Sequence, residues 1–241
     1  MRHGIIWISG ASAGIGRALA DHRPDDAGYV IDISRQGGAP RTEHFPADLS
    51  DPASWVALEA HFRARLTAGV GTALFVHNAG VLDPVGFAGE VDSVSYQANV
   101  LLNAAAPQVL GHAFLAAAKA ADASAQLVLL TSGAAQHPYP GWSAYCAGKA
   151  AVDMWTRAVG MELIRRGDRQ RVFAVAPGVV ATAMQERIRA ADASDFPEVE
   201  RFQAMHAEGR LADPADAARG IWRLIAQGQD NGALVDLRSA R

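Results

Sequence analysis

Tyr145 and Lys149 stand four residues apart in SAYCAGKAAVDMWTRAVGMEL, a segment of helical periodicity, so both side chains fall on one helix face. An ammonium beside a phenol favours the phenolate, and each unit of pKa depression corresponds to about 1.4 kcal/mol of differential interaction. A tyrosine so placed can act as acid and base near neutrality. The choice of lysine carries information: of the 22 Lys and Arg residues only Lys119 and Lys149 are lysine. The rigid guanidinium fork of an arginine would not replace a compact ammonium. Before Tyr145, at the end of the apolar run VLLTS, stands Ser132, whose hydroxyl could hydrogen-bond a carbonyl and stabilise charge developing on its oxygen.

A second group of residues suits a phosphate. The first apolar run leads into SGASAGIG, with Gly10, Gly14 and Gly16 around Ser12 and Ile15, where a strand should hand over to a helix. A tight turn needs positive φ, a pyrophosphate needs close backbone approach, and a helix start offers unpaired N–H groups. The pattern favours a dinucleotide, although the spacing departs from Gly-x-Gly-x-x-Gly. Methyltransferases that bind an adenosyl group also use a glycine-rich first turn, but that reading leaves Tyr145 and Lys149 unexplained. No metal is expected.

These residues must be carried by an α/β fold. Seven short apolar runs read as strands: Gly4 to Ser9, Tyr29 to Ile33, Glu43 to Ala47, Thr72 to Val76, Gln126 to Thr131, Arg171 to Ala176 and Ala233 to Asp236. Helical segments separate most of them, which predicts a single-domain Rossmann-type doubly wound sheet of about seven parallel strands, with helices on both faces, over residues 1–241. Asp51-Pro52 and Asp213-Pro214 mark helix starts, and Gly167 marks the end of the helix from Ser143. The stretch 183–212, with Met184, Ile188, Phe196, Phe202 and Met205, is long for a connection. It reads either as two core-facing helices or as a lid over a substrate.

Composition narrows the partners. Half the residues are hydrophobic and 20% are charged, as in an ordinary globular enzyme. A net charge of -3 offers no general attraction to nucleic acid or anionic lipid; the arginines at 165, 166, 169 and 171 suit a helix end. The lone Cys146 cannot form an internal disulfide, and no apolar run approaches the roughly 20 residues of a bilayer span. With no signal-like segment ahead of the first strand, a cytoplasmic location is expected.

The motifs SGASAGIG, HNAG, VLLTS and YCAGK, in this order, resemble the short-chain dehydrogenase/reductase family over nearly the whole chain. Within that family, SGAAQHPYPGWSAYCAGKAAVDMWTR and PGVVATAMQERIR resemble the (S)-benzoin-forming benzil reductases and the sepiapterin reductases. The resemblance implies a catalytic set of Asn99, Ser132, Tyr145 and Lys149, with Asn103 one turn from Asn99. Tyr145 would protonate a carbonyl oxygen as hydride arrives, Ser132 would orient the carbonyl, and Lys149 would bind the nicotinamide ribose and depress the Tyr145 pKa. Asn99 would hold a water that relays protons to the lysine. Asn78, Ala79 and Gly80 would pack on the adenosine half, Asp48 and Leu49 would border the adenine, and Pro177, Gly178, Val180 and Thr182 would line the nicotinamide. His77 stands where the family often has a second asparagine, and reads as a packed residue.

At the end of the second strand, YVIDISRQ, family spacing puts Ser34 and Arg35 at the adenosine ribose. A basic group there accepts the 2'-phosphate of NADP(H), whereas a two-residue slip would bring Asp32 to the ribose and favour NAD. The expected substrate is a small-molecule carbonyl, a hydrophobic or aromatic ketone or vicinal diketone, bordered by Ser132, Trp142, Tyr145 and Met184. Trp142 and Tyr139 also suit a core or an interface. Relatives associate through helices matching Ala98 to Ala121 and Ser143 to Arg166, so a homodimer or homotetramer is expected. The alternatives are a non-catalytic NADPH-sensing regulator and an NAD-dependent alcohol dehydrogenase working in the oxidative direction.

Overall fold

The computed structural model describes residues 4–25 and 27–239. The other residues of the expected 1–241 domain, including the first three of the segment that leads into the first strand, lie outside the described residues. The seven strands are β1 Ile5–Ser9, β2 Tyr29–Ser34, β3 Glu43–Pro46, β4 Thr72–His77, β5 Ser124–Leu130, β6 Arg171–Ala176 and β7 Ala233–Asp236. All are parallel, in the order β3-β2-β1-β4-β5-β6-β7. The expected seven runs are therefore the seven strands. β5 is shifted toward the N-terminus because Ser124 already pairs with Thr72 at the foot of β4.

Alternation along the strands builds two cores. On one face Trp7 packs edge-on against Phe62 and Phe114, with centroids 5.3 and 5.9 Å away. That core is closed by α2 (Pro52–Arg65), α4 (Ala106–Ala120) and α5 (Ser143–Arg166). On the other face Ile6 and Ile8 meet α1 (Gly14–Asp21) and α8 (Pro214–Gln227). The capping signals hold: Asp51 accepts from the Ala53 N–H at 2.9 Å and Asp213 from the Ala215 N–H at 2.7 Å. Gly167 ends α5 with φ 65°.

Two helical regions matter for the site. Helix α3 (Ser93–Val100) runs through a π-helical turn, Leu101–Ala105, into α4. Pro107 has no N–H to give the carbonyl four residues back, that of Asn103, and a π turn absorbs such a misfit. The joined helix Ser93–Ala120 also corrects the expectation that no run is long enough to span a bilayer. It has 28 residues, and its most apolar stretch has a mean hydropathy of 1.4. Polar Asn99, Asn103 and Gln108 interrupt the run in the sequence; in the fold, half of the apolar stretch is buried as a core helix.

The segment 183–212 forms α6 (Ala183–Arg189) and α7 (Val199–Ala207). Ile188, Phe196 and Phe202 bury themselves in a third cluster with Leu82, Trp142 and Tyr145. Both ends of the segment are tied together, since Ala181 N–H donates to the Ala212 carbonyl and Ala212 N–H to the Val179 carbonyl, each at 2.9 Å.

Candidate active site

The sheet order places a switch point between β1 and β4, and the carboxyl ends of these strands form a crevice suited to a ligand. Just beyond Ser9 and His77, which pair in register, the two loops interlock. Ser9 Oγ accepts from the N–H groups of Asn78 and Ala79, both at 3.0 Å, and Asn78 Nδ2 donates to the Ser9 carbonyl at 3.0 Å. Gly10 has φ 70° and leaves only 3.0 Å between a Cβ and Asn78 Nδ2; at Gly16 a Cβ would stand 2.2 Å from the Gly10 oxygen.

Helix α1 begins at this turn behind Ala13, which supplies no side-chain cap. Its first N–H groups and its positive dipole end therefore lie next to a backbone stripped of side chains, beside Ser12 and Ile15. An anionic pyrophosphate fits there. Thr182, at the head of α6, closes the other side: its Cγ2 would be 3.3 Å from a Cβ on Gly14. Pro177, Gly178 and Val180 connect β6 to Thr182, and Val180 is buried beside the Ala212 bridge.

Ser132, Tyr145 and Lys149 come together where β5 ends and α5 begins. Ser132 hydrogen-bonds the Tyr145 phenol and also accepts from the Ala134 N–H at 3.2 Å. Lys149 Nζ lies 5.7 Å from the Tyr145 ring centre and donates to the Leu130 carbonyl at 2.9 Å. Burial pushes the Tyr145 phenol above a tyrosine's usual range, and the Ser132 hydrogen bond opposes that. This departs from the expectation of a phenol depressed by lysine: desolvation dominates, and Lys149 is turned toward the Leu130 carbonyl. Lys149 is itself pushed down to about 8 by burial, with Asp153 working against the fall.

Asn99 and Asn103 are both buried but do different things. Asn99 Nδ2 donates to the carbonyls of Val81, Leu82 and Asp83 at 3.3, 3.0 and 2.8 Å, and its Oδ1 accepts from Asn103 at 2.8 Å. Asn103 Oδ1 accepts from the Val81 N–H at 3.2 Å. A Cβ on Gly80 would be 3.0 Å from Asn103 Oδ1 and 3.5 Å from Lys149 Nζ, so Asn103 is the asparagine that shares the Gly80 corner with the lysine. His77 is packed edge-on against Phe75 and held neutral, its pKa lowered to about 3 by burial and by the Lys149 charge.

At the end of β2, Ser34 Oγ accepts from the Gly37 N–H at 3.0 Å and Arg35 is exposed. Asp32 is fully buried within the strand, both oxygens without a hydrogen-bond partner. Asp48 accepts from the Ser50 N–H and hydroxyl at 2.9 and 2.6 Å; these bonds, and the Arg35 charge, hold its carboxyl below the usual range. Leu49 is a core residue, and its carbonyl accepts from Trp55 at 2.9 Å.

On the far side of Tyr145, Trp142 lies flat on Phe196 and edge-on to Tyr145, with Met184 packed against the same cluster. Trp142 is thus a cluster residue whose ring backs the phenol. A cavity of about 290 Å³ beside Tyr139, Glu198 and Arg201 borders this cluster through Tyr139 and is lined by none of Ser132, Tyr145 and Lys149. Among the described residues no group of three His, Cys, Asp or Glu could hold a metal.

A glycine turn at an uncapped helix, together with Ser, Tyr and Lys gathered at the end of β5 in a seven-stranded parallel sheet, defines a nicotinamide-dependent oxidoreductase class. The short chain dehydrogenase family profile matches residues 4–193, and the chain belongs to that family. It is 32% identical over 234 residues to a benzil reductase ((S)-benzoin forming) of Bacillus cereus, covering 91% of this chain and 93% of that one. It is 29% identical to a sepiapterin reductase of Meriones unguiculatus, covering 96% and 95%. A short-chain dehydrogenase/reductase crystal structure from Saccharomyces cerevisiae superposes with a TM-score of 0.83 at 23% identity, over 98% of this chain and 96% of that one. The chain is therefore an oxidoreductase acting on small molecules.

Proposed function

We propose that this protein is an NADPH-dependent carbonyl reductase that converts a hydrophobic or aromatic ketone or vicinal diketone, benzil among them, to an alcohol. The observation that carries the reading is the contact of Ser132 with a buried Tyr145, one helical turn from Lys149, at the end of β5. The nicotinamide, when bound, supplies the hydride. Ser132 orients the carbonyl and hydrogen-bonds its oxygen as charge grows there. Tyr145 gives that oxygen a proton. Lys149 holds the nicotinamide ribose. Asn103 takes the relay position next to Lys149, and Asn99 fixes the loop 81–83 around it.

Exposed Arg35 beside Ser34 supports a site for a 2'-phosphate, and the enclosure of Asp32 removes the acid that would favour NAD. Asp48, Leu49, Asn78, Ala79 and Gly80 border the adenosine half, and Pro177, Gly178, Val180 and Thr182 the nicotinamide. Trp142 and Met184 give the substrate side its apolar character, and the segment 183–212 covers it. Val94, Val100 and Val109 on the joined helix, and Met154, Met161 and Ile164 on α5, are exposed apolar residues that support a homodimer or homotetramer through these helices. A cytoplasmic enzyme of one domain is consistent with this reading.

The test is NADPH oxidation by purified protein against a carbonyl panel that includes benzil, with Tyr145→Phe as control and Arg35→Ser to probe cofactor choice. Turnover lost in Tyr145→Phe, and an NADPH affinity weakened about tenfold or more in Arg35→Ser with NADH unaffected, is the expected result. NADPH binding without turnover of any carbonyl would favour a cofactor-sensing regulator.

A further inference from the structure

We propose that Asp153 is the buried counter-charge of Lys149, a positioning residue that keeps the ammonium charged and in place inside the closed site. The two side chains stand four apart on α5, and so on the same helix face. They are 8% and 6% exposed, and Asp153 Oδ1 has no hydrogen-bond partner. They do not form a contact pair; Lys149 Nζ is held by the Leu130 carbonyl. A buried ammonium without a counter-charge gives up its proton, because burial disfavours the charged form.

The groups around Lys149 leave one candidate for that counter-charge. From β4, His77 is neutral. At the end of β5 stands the Leu130 carbonyl, just beyond it Ser132, and across Gly80 the amide of Asn103. On α5, Tyr145 is a protonated phenol. Among the described residues Asp153 is the single carboxyl whose charge acts on Lys149, and it is faced in turn by Thr131, Gln136, Lys149 and Arg157. Burial raises the Asp153 pKa, and the Lys149 and Arg157 charges pull it back. The carboxylate and the ammonium thus sustain one another's charge across one helical turn. The electrostatic relation stands on this geometry; its catalytic consequence rests on the reading of Lys149 as the ribose-binding residue.

With only two lysines in the chain, the relation can be read directly. Protein labelled with carbon-13 at lysine Cε gives two signals, and Lys119→Arg assigns them, since Lys119 is exposed and paired with Asp168. The wild-type Lys149 midpoint is expected near 8. In Asp153→Asn its proton affinity should fall about tenfold or more, with Lys119 unmoved and Asp153→Glu restoring most of the loss. A Lys149 midpoint that stays within about twofold of wild type in folded Asp153→Asn overturns the proposal. Should that variant fail to fold, Asp153→Ser is titrated in its place and read by the same criterion. The same shift should appear in the alkaline limb of NADPH oxidation. A shift seen by resonance in a protein that reduces no carbonyl would leave the counter-charge standing and remove the reductase reading instead.

Discussion

Phe196, from the segment between β6 and α8, lies flat on Trp142 at 4.3 Å with the rings 5° from parallel, and Trp142 in turn meets Tyr145 edge-on at 5.9 Å. The stretch between α6 and α7 is therefore joined to Tyr145 at the start of α5 through two aromatic contacts. Phe196 is fully buried, so Phe196→Ala leaves a cavity and should cost about 3–5 kcal/mol of stability. The phenol loses its backing, while the glycine turn belongs to other elements. Urea unfolding should show the loss, and kinetics should show a lower kcat with NADPH affinity within about threefold of wild type. A drop in NADPH affinity as large as the drop in kcat would mean that the cluster supports the cofactor side instead.

The glycines that follow β1 and β5 are of two kinds. At Gly16 a Cβ would stand 2.2 Å from the Gly10 oxygen and 2.5 Å from Asn78 Nδ2, so the β1 and β4 loops must part to admit it. At Gly133 a Cβ meets nothing within 4 Å. Gly16→Ala should weaken cofactor binding about a hundredfold, on the order of 3 kcal/mol, measured by quenching of protein fluorescence. Gly133→Ala should bind as wild type, and equal affinities for the two variants would contradict the cradle.

Burial of His77 makes stability depend on pH. Its folded pKa of about 3 lies below the 6.5 of a free histidine, so the unfolded chain takes up the proton first. The stability that its burial contributes is complete above pH 6.5 and is lost as pH falls toward 3, at about 1.4 kcal/mol per pH unit. Between pH 6.5 and 5 the wild type should lose about 2 kcal/mol from this residue alone. In His77→Asn that component should vanish, so the urea midpoint should change less between these pH values. A wild-type midpoint no more pH-dependent than that of the variant would mean that the imidazole is already charged in the folded protein.

Much of this arrangement is legible in the residues. Strands of four to seven residues bounded by turn signals, and two Asp-Pro starts, follow from local chemistry, and the Tyr145 and Lys149 pair follows from spacing, whereas Ser132 joins them through the family resemblance. What spacing does not carry is depth. Asn99 and Asn103 share a helical repeat, and only the path of the chain past Gly80 decides which meets Lys149. Asp153 is visible as a residue four beyond the lysine, but its burial is not. Nor does the sequence tell whether charge or desolvation governs Tyr145; in the fold, desolvation does.

Across the substrate side, Arg187 of α6 donates from Nε to Asp83 Oδ1 at 2.9 Å, and the Asp83 carbonyl is in turn held by Asn99 at 2.8 Å. This ion pair joins the covering segment to the loop after β4. Both side chains are about half exposed, so the pair should add less than about 1 kcal/mol to stability. On the proposed reading of 183–212 as a cover for the substrate, its effect belongs to closure. Arg187→Gln should leave the thermal midpoint almost unchanged, raise KM for the carbonyl severalfold, and speed protease cleavage within 183–212 in the cofactor-free protein. Because a screened surface pair weakens with salt, wild type in about 0.5 M salt should move toward the variant in both measurements. Cleavage at the wild-type rate with an unchanged KM would show that the aromatic cluster alone holds the segment down.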